Sequence, residues 1–378
     1  MKIRTITFGC EIKPSGIEQQ VKQLGEKAHI ARKWFVDHGY TVQTVRLSTQ
    51  PWESYATNQK ELISIAKTLQ RISTKHGFDY FNMGPTKNPS FISFLPEVLK
   101  ATQTGFCTSN MLDNNTMDHD ATWETAKAIK TISKLEKQGF ANLRFAALCN
   151  IQPCTPFYPA SFHQGPASFG IGLENSDVVY NAFQKAADIK QASELLTDHL
   201  LDPYQKIEKI CEELSEHINV SYTGIDTSVC SSIHKKQSTA FAFELLGLGR
   251  FGEPGTLAIA KIITDVLKHL PIKKIGYNGL MLPILEDHGL AERNNQGSYN
   301  LSNILHYSAV CGTGLDTIPL PGSIPVKKLY SILLDVASLS TKLEKPLSAR
   351  LLPVPSKNSG EMTCFDFEYF VNSKIMNP

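Results

Sequence analysis

Lys2-Ile3-Arg4-Thr5-Ile6-Thr7-Phe8 alternates apolar with polar residues and is rich in β-branched side chains, and Pro14-Ser15-Gly16 follows it as a helix start. Ile17, Val21, Leu24, Ala28, Ala31 and Phe35 then recur at steps of three and four, one apolar stripe that runs out at His38-Gly39. Thr41 to Leu47 reads as a second strand, Leu62, Ile65, Leu69 and Ile72 as a second helical stripe, and Phe78 to Met83 as a third strand before Gly84-Pro85. A βαβαβ order of this spacing favours a parallel or mixed sheet with helices packed outside, because parallel neighbours need long crossovers.

Working outward, the same alternation continues. A helix is expected near Ala121 to Lys137 and strands near Leu143 to Cys149 and Ala167 to Ile171. Asp177 to His217 is mainly helical; a strand at Val220 to Ile225, a helix at Thr256 to Leu270 and a strand near Ser348 to Val354 complete the series. No Gly/Ser-rich tether, charge block or tandem repeat interrupts it, so one α/β domain over residues 1–378 is expected. With 378 residues and 42% hydrophobic content the chain can bury a large core.

Composition narrows the partners. The 38 basic and 36 acidic residues give a net charge of +2, with no surplus to neutralise phosphates, so nucleic acid is not an expected partner. The start lacks the apolar run of a signal peptide, and no segment approaches the roughly 20 apolar residues of a membrane span. A cytoplasmic protein without a membrane partner is expected. Eight cysteines scattered along the chain read as thiols, and Cys149 and Cys154 have no second pair to complete a structural zinc site.

Several motifs carry chemistry together with a plainer alternative. Gly247-Leu248-Gly249-Arg250-Phe251-Gly252 has the letters of a dinucleotide loop but follows a helical stretch, which makes it a turn. Gly170-Ile171-Gly172-Leu173-Glu174-Asn175 follows a strand and precedes a helix, so it could cradle an anion or serve close strand–helix packing. Asp113, Asp118, His119 and Asp120 could hold a cation, although Asp118 or Asp120 serves equally as a helix cap. His163 falls in a loop before a strand; such a histidine is either a surface residue or an imidazole presented for proton transfer.

The stretch Val310 to Gly322 surrounds one thiol, Cys311, and one carboxylate, Asp316, with glycines and prolines, and reads as a tight loop. Its thiol is either a pocket residue or an inert small core residue. Within it, Thr313-Gly314-Leu315-Asp316-Thr317 echoes Thr223-Gly224-Ile225-Asp226-Thr227, as two similar strand-to-loop corners would.

The chain resembles the uncharacterised family called domain of unknown function 711, whose longer relatives are often labelled pyruvate-formate-lyase-like. The resemblance rests on Ile3 to Thr7, Ser161-Phe162-His163, Gly224-Ile225-Asp226, Phe251 to Thr256, Cys311 to Gly322 and Lys345 to Pro355. It implies a ten-stranded α/β barrel with outer helices, in two five-stranded halves. Gly360 to Asp366 has no radical-glycine motif, so radical chemistry is not expected. Nor is nicotinamide, flavin, haem or an iron–sulfur centre.

Two functions follow as expectations. One is a non-radical enzyme for a small polar or anionic metabolite, in which His163 transfers a proton, Asp226 and Asp316 bind a cation, metal or substrate amine, and Cys311 lines the pocket or acts as nucleophile. Arg350 would pair with a substrate carboxylate, and Asn175, Gly312, Thr313 and Gly314 would complete the pocket. The other is a metabolite-binding or regulatory protein using the same pocket without chemistry. A homo-oligomer is compatible with either.

Overall fold

The computed structural model describes all 378 residues. The chain runs β1 (Lys2–Gly9), α1 (Ile17–Asp37), β2 (Val42–Ser48), α2 (Gln59–Lys75), β3 (Tyr80–Thr86), α3 (Pro89–Ile92), α4 (Leu95–Ala101) and β4 (Gly105–Asn110). A two-stranded ribbon, β5 (Leu112–Asp113) and β6 (Thr116–Met117), leads into α5 (His119–Ile132), β7 (Phe145–Cys149) and β8 (Ser168–Glu174). Then come α6 (Ser176–Lys185), α7 (Ile189–Ile218), β9 (Ser221–Asp226), α8 (Thr239–Glu244), α9 (Thr256–His269), α10 (His288–Gln296) and α11 (Leu301–Tyr307). The last elements are β10 (Gly314–Pro321), α12 (Val326–Leu343) and β11 (Leu347–Val354).

Nine strands form one sheet in the order β10-β11-β7-β4-β3-β2-β1-β8-β9. The central five, β1, β2, β3, β4 and β7, are parallel. At each end a parallel pair runs against them: β8 with β9 joins antiparallel to β1, and β11 with β10 joins antiparallel to β7. Between the two edge strands lies the extended segment 273–284. Ile225 N–H donates to Lys273 O at 2.9 Å and Val229 N–H to Gly279 O at 3.1 Å on one side; Gly312 N–H donates to Leu280 O at 2.8 Å and Ile284 N–H to Asp316 O at 3.1 Å on the other.

The strands have two unlike faces, which follows from their period of two. Ile6, Phe8, Val45 and Leu47 share an apolar cluster with Val21, Leu24 and Phe35 of α1. Thr7, Ser48 and Asn82 point away from the helices and bond to the segment 150–166 instead. Thr7 Oγ1 donates to Pro156 O at 2.7 Å, Ser48 Oγ lies 2.6 Å from Ser161 Oγ, and Asn82 Nδ2 donates to Pro159 O at 2.6 Å. The helix-free face of the sheet is therefore polar and covered by a connecting segment.

Residues 314–321, expected in a loop, are the strand β10. The register with β11 shifts between Leu315 and Ile318, and Thr317 takes a φ of 46°, so a bulge breaks the alternation by which a strand is recognised. Gly170 and Gly172, expected to open a helix, lie inside β8. A Cβ on Gly172 would stand 2.7 Å from the Phe157 ring, so this glycine admits the covering segment. Gly247 to Gly252 lies between α8 and α9.

Candidate functional site in the polar interior

A chain of ions crosses the polar face. Asp316 on β10 accepts from Arg350 Nε at 2.6 Å, Arg350 Nη2 donates to Glu286 at 2.6 Å, Arg4 Nη2 reaches the other Glu286 oxygen at 3.3 Å, and Arg4 Nη1 reaches Glu174 at 3.5 Å. All five side chains are mostly buried. Burial alone would lower the Arg350 pKa, but Asp316 and Glu286 outweigh it and raise it. Tyr277 stands beside this chain, its hydroxyl 2.9 Å from Ser348 Oγ on β11.

Arg46, on β2, differs from these arginines. Its Nε donates to Thr44 Oγ1 at 2.9 Å, and the guanidinium lies 5.0 Å from the Tyr158 ring centre and 5.9 Å from that of Tyr80. It is 9% exposed and has no carboxylate partner. Burial, with the nearby Arg4 charge, pulls its pKa down to about 10. The Cys230 thiol is near both arginines and is pushed up to about 11, chiefly by burial.

His163 is buried rather than on the surface. Its Nε2 lies 2.9 Å from Gly165 O and 3.0 Å from Pro166 O, two acceptors that place the ring proton on Nε2 and leave Nδ1 facing Cys154 Sγ at 3.7 Å. Ser168 Oγ lies 3.7 Å from the same sulfur. Burial alone would push the Cys154 thiol up; His163, Ser168 and the Gln164 N–H outweigh it and hold it below the ordinary thiol value. The His163 pKa is correspondingly raised, with Cys154 and the two carbonyls overcoming burial.

The remaining expected residues divide between network and scaffold. Asp316 and Arg350 are brought together. Asp226 is spent on the scaffold, on its own turn and on segment 273–284: Oδ1 accepts from Ser228 N–H at 3.0 Å, Ser228 Oγ–H at 2.6 Å and Asn278 N–H at 3.0 Å, and Oδ2 accepts from Tyr277 N–H at 2.9 Å. It lies at the level of Gly172 and Thr5 in the sheet, whereas His163 packs against Gly9 at the other end of β1, so these two do not meet.

Asn175 ties β8 to the 227–230 turn through Tyr204 Oη at 2.6 Å, Ser228 O at 3.2 Å and Cys230 N–H at 3.1 Å. Cys311 is buried, and burial pushes its thiol up. Lys345 Nζ beside it donates to Ser308 O, Ala309 O and Cys311 O, capping the turn after α11. Gly312 crosses Gly279 backbone to backbone, Gly314 meets Ser348 O, and Thr313 Oγ1 is buried without a partner. Asp118 caps α5 through Ala121 N–H at 2.9 Å, and no group of three or more His, Cys, Asp or Glu side chains is arranged to hold a metal ion.

A family profile described as "Uncharacterised ACR (DUF711)" matches residues 1–367. The chain belongs to the DUF711 family. This DUF711 protein is 24% identical over 397 residues to a UPF0210 protein of Thermoanaerobacter sp. (strain X514), covering 96% of this chain and 87% of that one. It is 28% identical over 355 residues to a UPF0210 protein of Pyrobaculum islandicum, covering 86% and 76%. Among solved structures, an anaerobic ribonucleotide reductase aligns over 92% of this chain and 70% of its own at 8% identity, with a TM-score of 0.33. No helix of the DUF711 protein is long and apolar enough to cross a membrane.

Sequence reasoning missed Arg4, Arg46, Glu174, Glu286 and Cys154. A signal for one of them is present: Arg46 sits between Thr44 and Ser48 in strict alternation with Val45 and Leu47, whereas Arg4 is out of phase with Thr5 and Thr7 because the register of β1 shifts between Ile3 and Thr5. Parallel strands buried between two apolar layers lack such alternation, so it marks a polar second face. Glu174 ends β8 beyond its glycines, and Glu286 and Cys154 lie in connections, so none of the three stands in a periodic pattern.

Proposed function

We propose that this chain is a non-radical enzyme whose sheet closes through residues 273–284 into a ten-stranded barrel over residues 1–378, and that a small anionic metabolite binds inside it against Arg46. One observation carries the reading: a mostly buried guanidinium, stacked against two tyrosines and repelled by Arg4, without a protein anion. Removing a cation from water costs several kcal/mol unless a partner repays it. A carboxylate or phosphate supplies that partner through two parallel N–H···O bonds. Beside it the Asp316–Arg350–Glu286–Arg4–Glu174 chain orients polar substrate groups, and the Tyr277 hydroxyl is the group for proton transfer in this reading.

A metabolite-binding protein without catalysis is the second reading, favoured by the way Asp226 commits both oxygens to the scaffold. Thermal unfolding with a panel of small carboxylates and phosphates tests the binding that both share. A true ligand at a hundred times its Kd stabilises by about 2.7 kcal/mol. Arg46→Met is expected to abolish that shift while leaving the ligand-free protein at least as stable, since it removes an unpaired buried charge. A ligand that stabilises wild type and Arg46→Met alike rules out this anchor. Recovering the ligand chemically unchanged after long incubation favours the second reading.

A further inference from the structure

Besides the buried arginines, the structure contains a second chemically distinct group on the same polar face. Cys154 and His163 close the two ends of one tight excursion, where Cys154 N–H donates to Phe162 O at 2.7 Å. Cys154 takes a φ of 66°, a left-handed conformation that costs a non-glycine residue of the order of 1 kcal/mol or more and is held by its surroundings. Gly9 leaves room for the imidazole, since a Cβ there would stand 2.1 Å from Nδ1. The Gly165-Pro166 turn that fixes Nε2 also borders a surface cleft with Cys10, Glu11, Gln20 and Lys27. Glu11 accepts from Gly165 N–H at 2.8 Å and, with Lys27, is the charged group facing the turn.

We infer that Cys154, held against the His163 ring, is an oxidisable thiol and a modification site for peroxides. The geometry provides what that chemistry needs. Cys154 is half-buried, whereas Cys10, Cys107, Cys149, Cys211, Cys230 and Cys311 are buried. Only the thiolate attacks, and susceptibility follows thiolate character and access. The sulfur attacks one peroxide oxygen with its electron pair; the S–O bond forms and the O–O bond breaks. The departing alkoxide or hydroxide takes the proton from His163 Nδ1, giving a sulfenic acid, an alcohol or water, and a neutral imidazole. The sulfur is oxidised and the peroxide reduced. A small-molecule thiol then attacks the sulfenic sulfur, expels water as a mixed disulfide forms, and a second thiol restores Cys154.

The test uses the full chain, hydrogen peroxide and a 1,3-diketone that traps sulfenic acids, with each cysteine followed by mass spectrometry across pH. The exposed Cys364 is the internal reference for an accessible thiol. Cys154 is expected to label several-fold faster than Cys364 near neutral pH, because the His163 ring and the Ser168 hydroxyl stabilise its thiolate. His163→Gln removes the imidazolium and is expected to slow Cys154 to the Cys364 rate and move its pH midpoint upward, with the circular dichroism unchanged. If that variant fails to fold, Ser168→Ala, which removes only the hydroxyl donor, serves instead and is expected to slow labelling several-fold. Cys154 labelling no faster than Cys364, or at an unchanged rate in the folded variant, overturns the assignment. Because neither Arg46 nor a residue shown in contact with it is altered, failure here leaves the anion-binding reading standing, and the converse also holds.

Discussion

Asp226 and Asp316 occupy the same place in two copies of one five-residue pattern, yet their surroundings give them different work. Asp226 is fully buried and accepts from four donors, three of them backbone N–H groups. Burial raises its pKa, and the four donors offset this only in part. Asp316 keeps some exposure and spends one oxygen on Arg350. An amide in place of the Asp226 carboxylate must aim an NH2 group at a donor, which leaves buried groups unpaired. Asp226→Asn is therefore expected to lower stability by about 2–4 kcal/mol in urea unfolding, without any selective loss of ligand affinity. Asp316→Asn keeps an oxygen that can accept from Arg350 Nε, and Glu286 still pairs the guanidinium, so in this mostly buried chain it is expected to cost less, about 1–2 kcal/mol. Equal effects of the two replacements would contradict this division.

At the scale of elements, the decisive piece is the covering segment 150–166, and its seat is a strand. Gly172 of β8 has room for the Phe157 ring only because it lacks a Cβ, which would stand 2.7 Å from Phe157 Cζ and 3.0 Å from Thr5 Cγ2. Gly172→Val is expected to overpack this contact at a cost of about 1–3 kcal/mol, and Phe157→Ala in the same chain to recover much of it. Additive effects in that double-mutant cycle would show that the segment does not rest on the glycine. The strands around it were legible where period and composition agree, as in Lys2 to Phe8 and Val220 to Ile225. They were illegible where a bulge and two prolines interrupt the pattern, as in Gly314–Pro321. The candidate site was less legible still. Asp316 and Arg350 were named and do meet, but their partner Glu286 lies in a connection, and Cys154 faces His163 through a left-handed turn that no periodicity announces.

For the whole molecule, the question is what joins the two edges of the sheet, since an open edge exposes unpaired backbone groups. Segment 273–284 bonds to β9 and its following turn on one side and to Gly312 and β10 on the other, using isolated bridges rather than a continuous ladder. Such a join depends on close backbone approach at a few points. The tightest is the crossing of Gly279 and Gly312, where a Cβ on Gly279 would stand 2.4 Å from Gly312 Cα and 2.8 Å from its nitrogen. Neither obstacle is a side chain that can swing away, so the strands themselves must separate. Gly279→Ala is therefore expected to cost more than a surface substitution, about 2 kcal/mol or more, although the φ at this glycine is not one that alanine avoids. Its signature is local: amide hydrogen exchange should accelerate at Ile225, Val229, Met281, Gly312 and Ile284, whose N–H groups make the join, while the central strands β1 to β4 keep their protection. Uniform loss of protection would mean that the replacement merely destabilises the fold. Unchanged exchange at those five amides would mean that the edges are not held together through this crossing, and the proposed barrel would lose its closure.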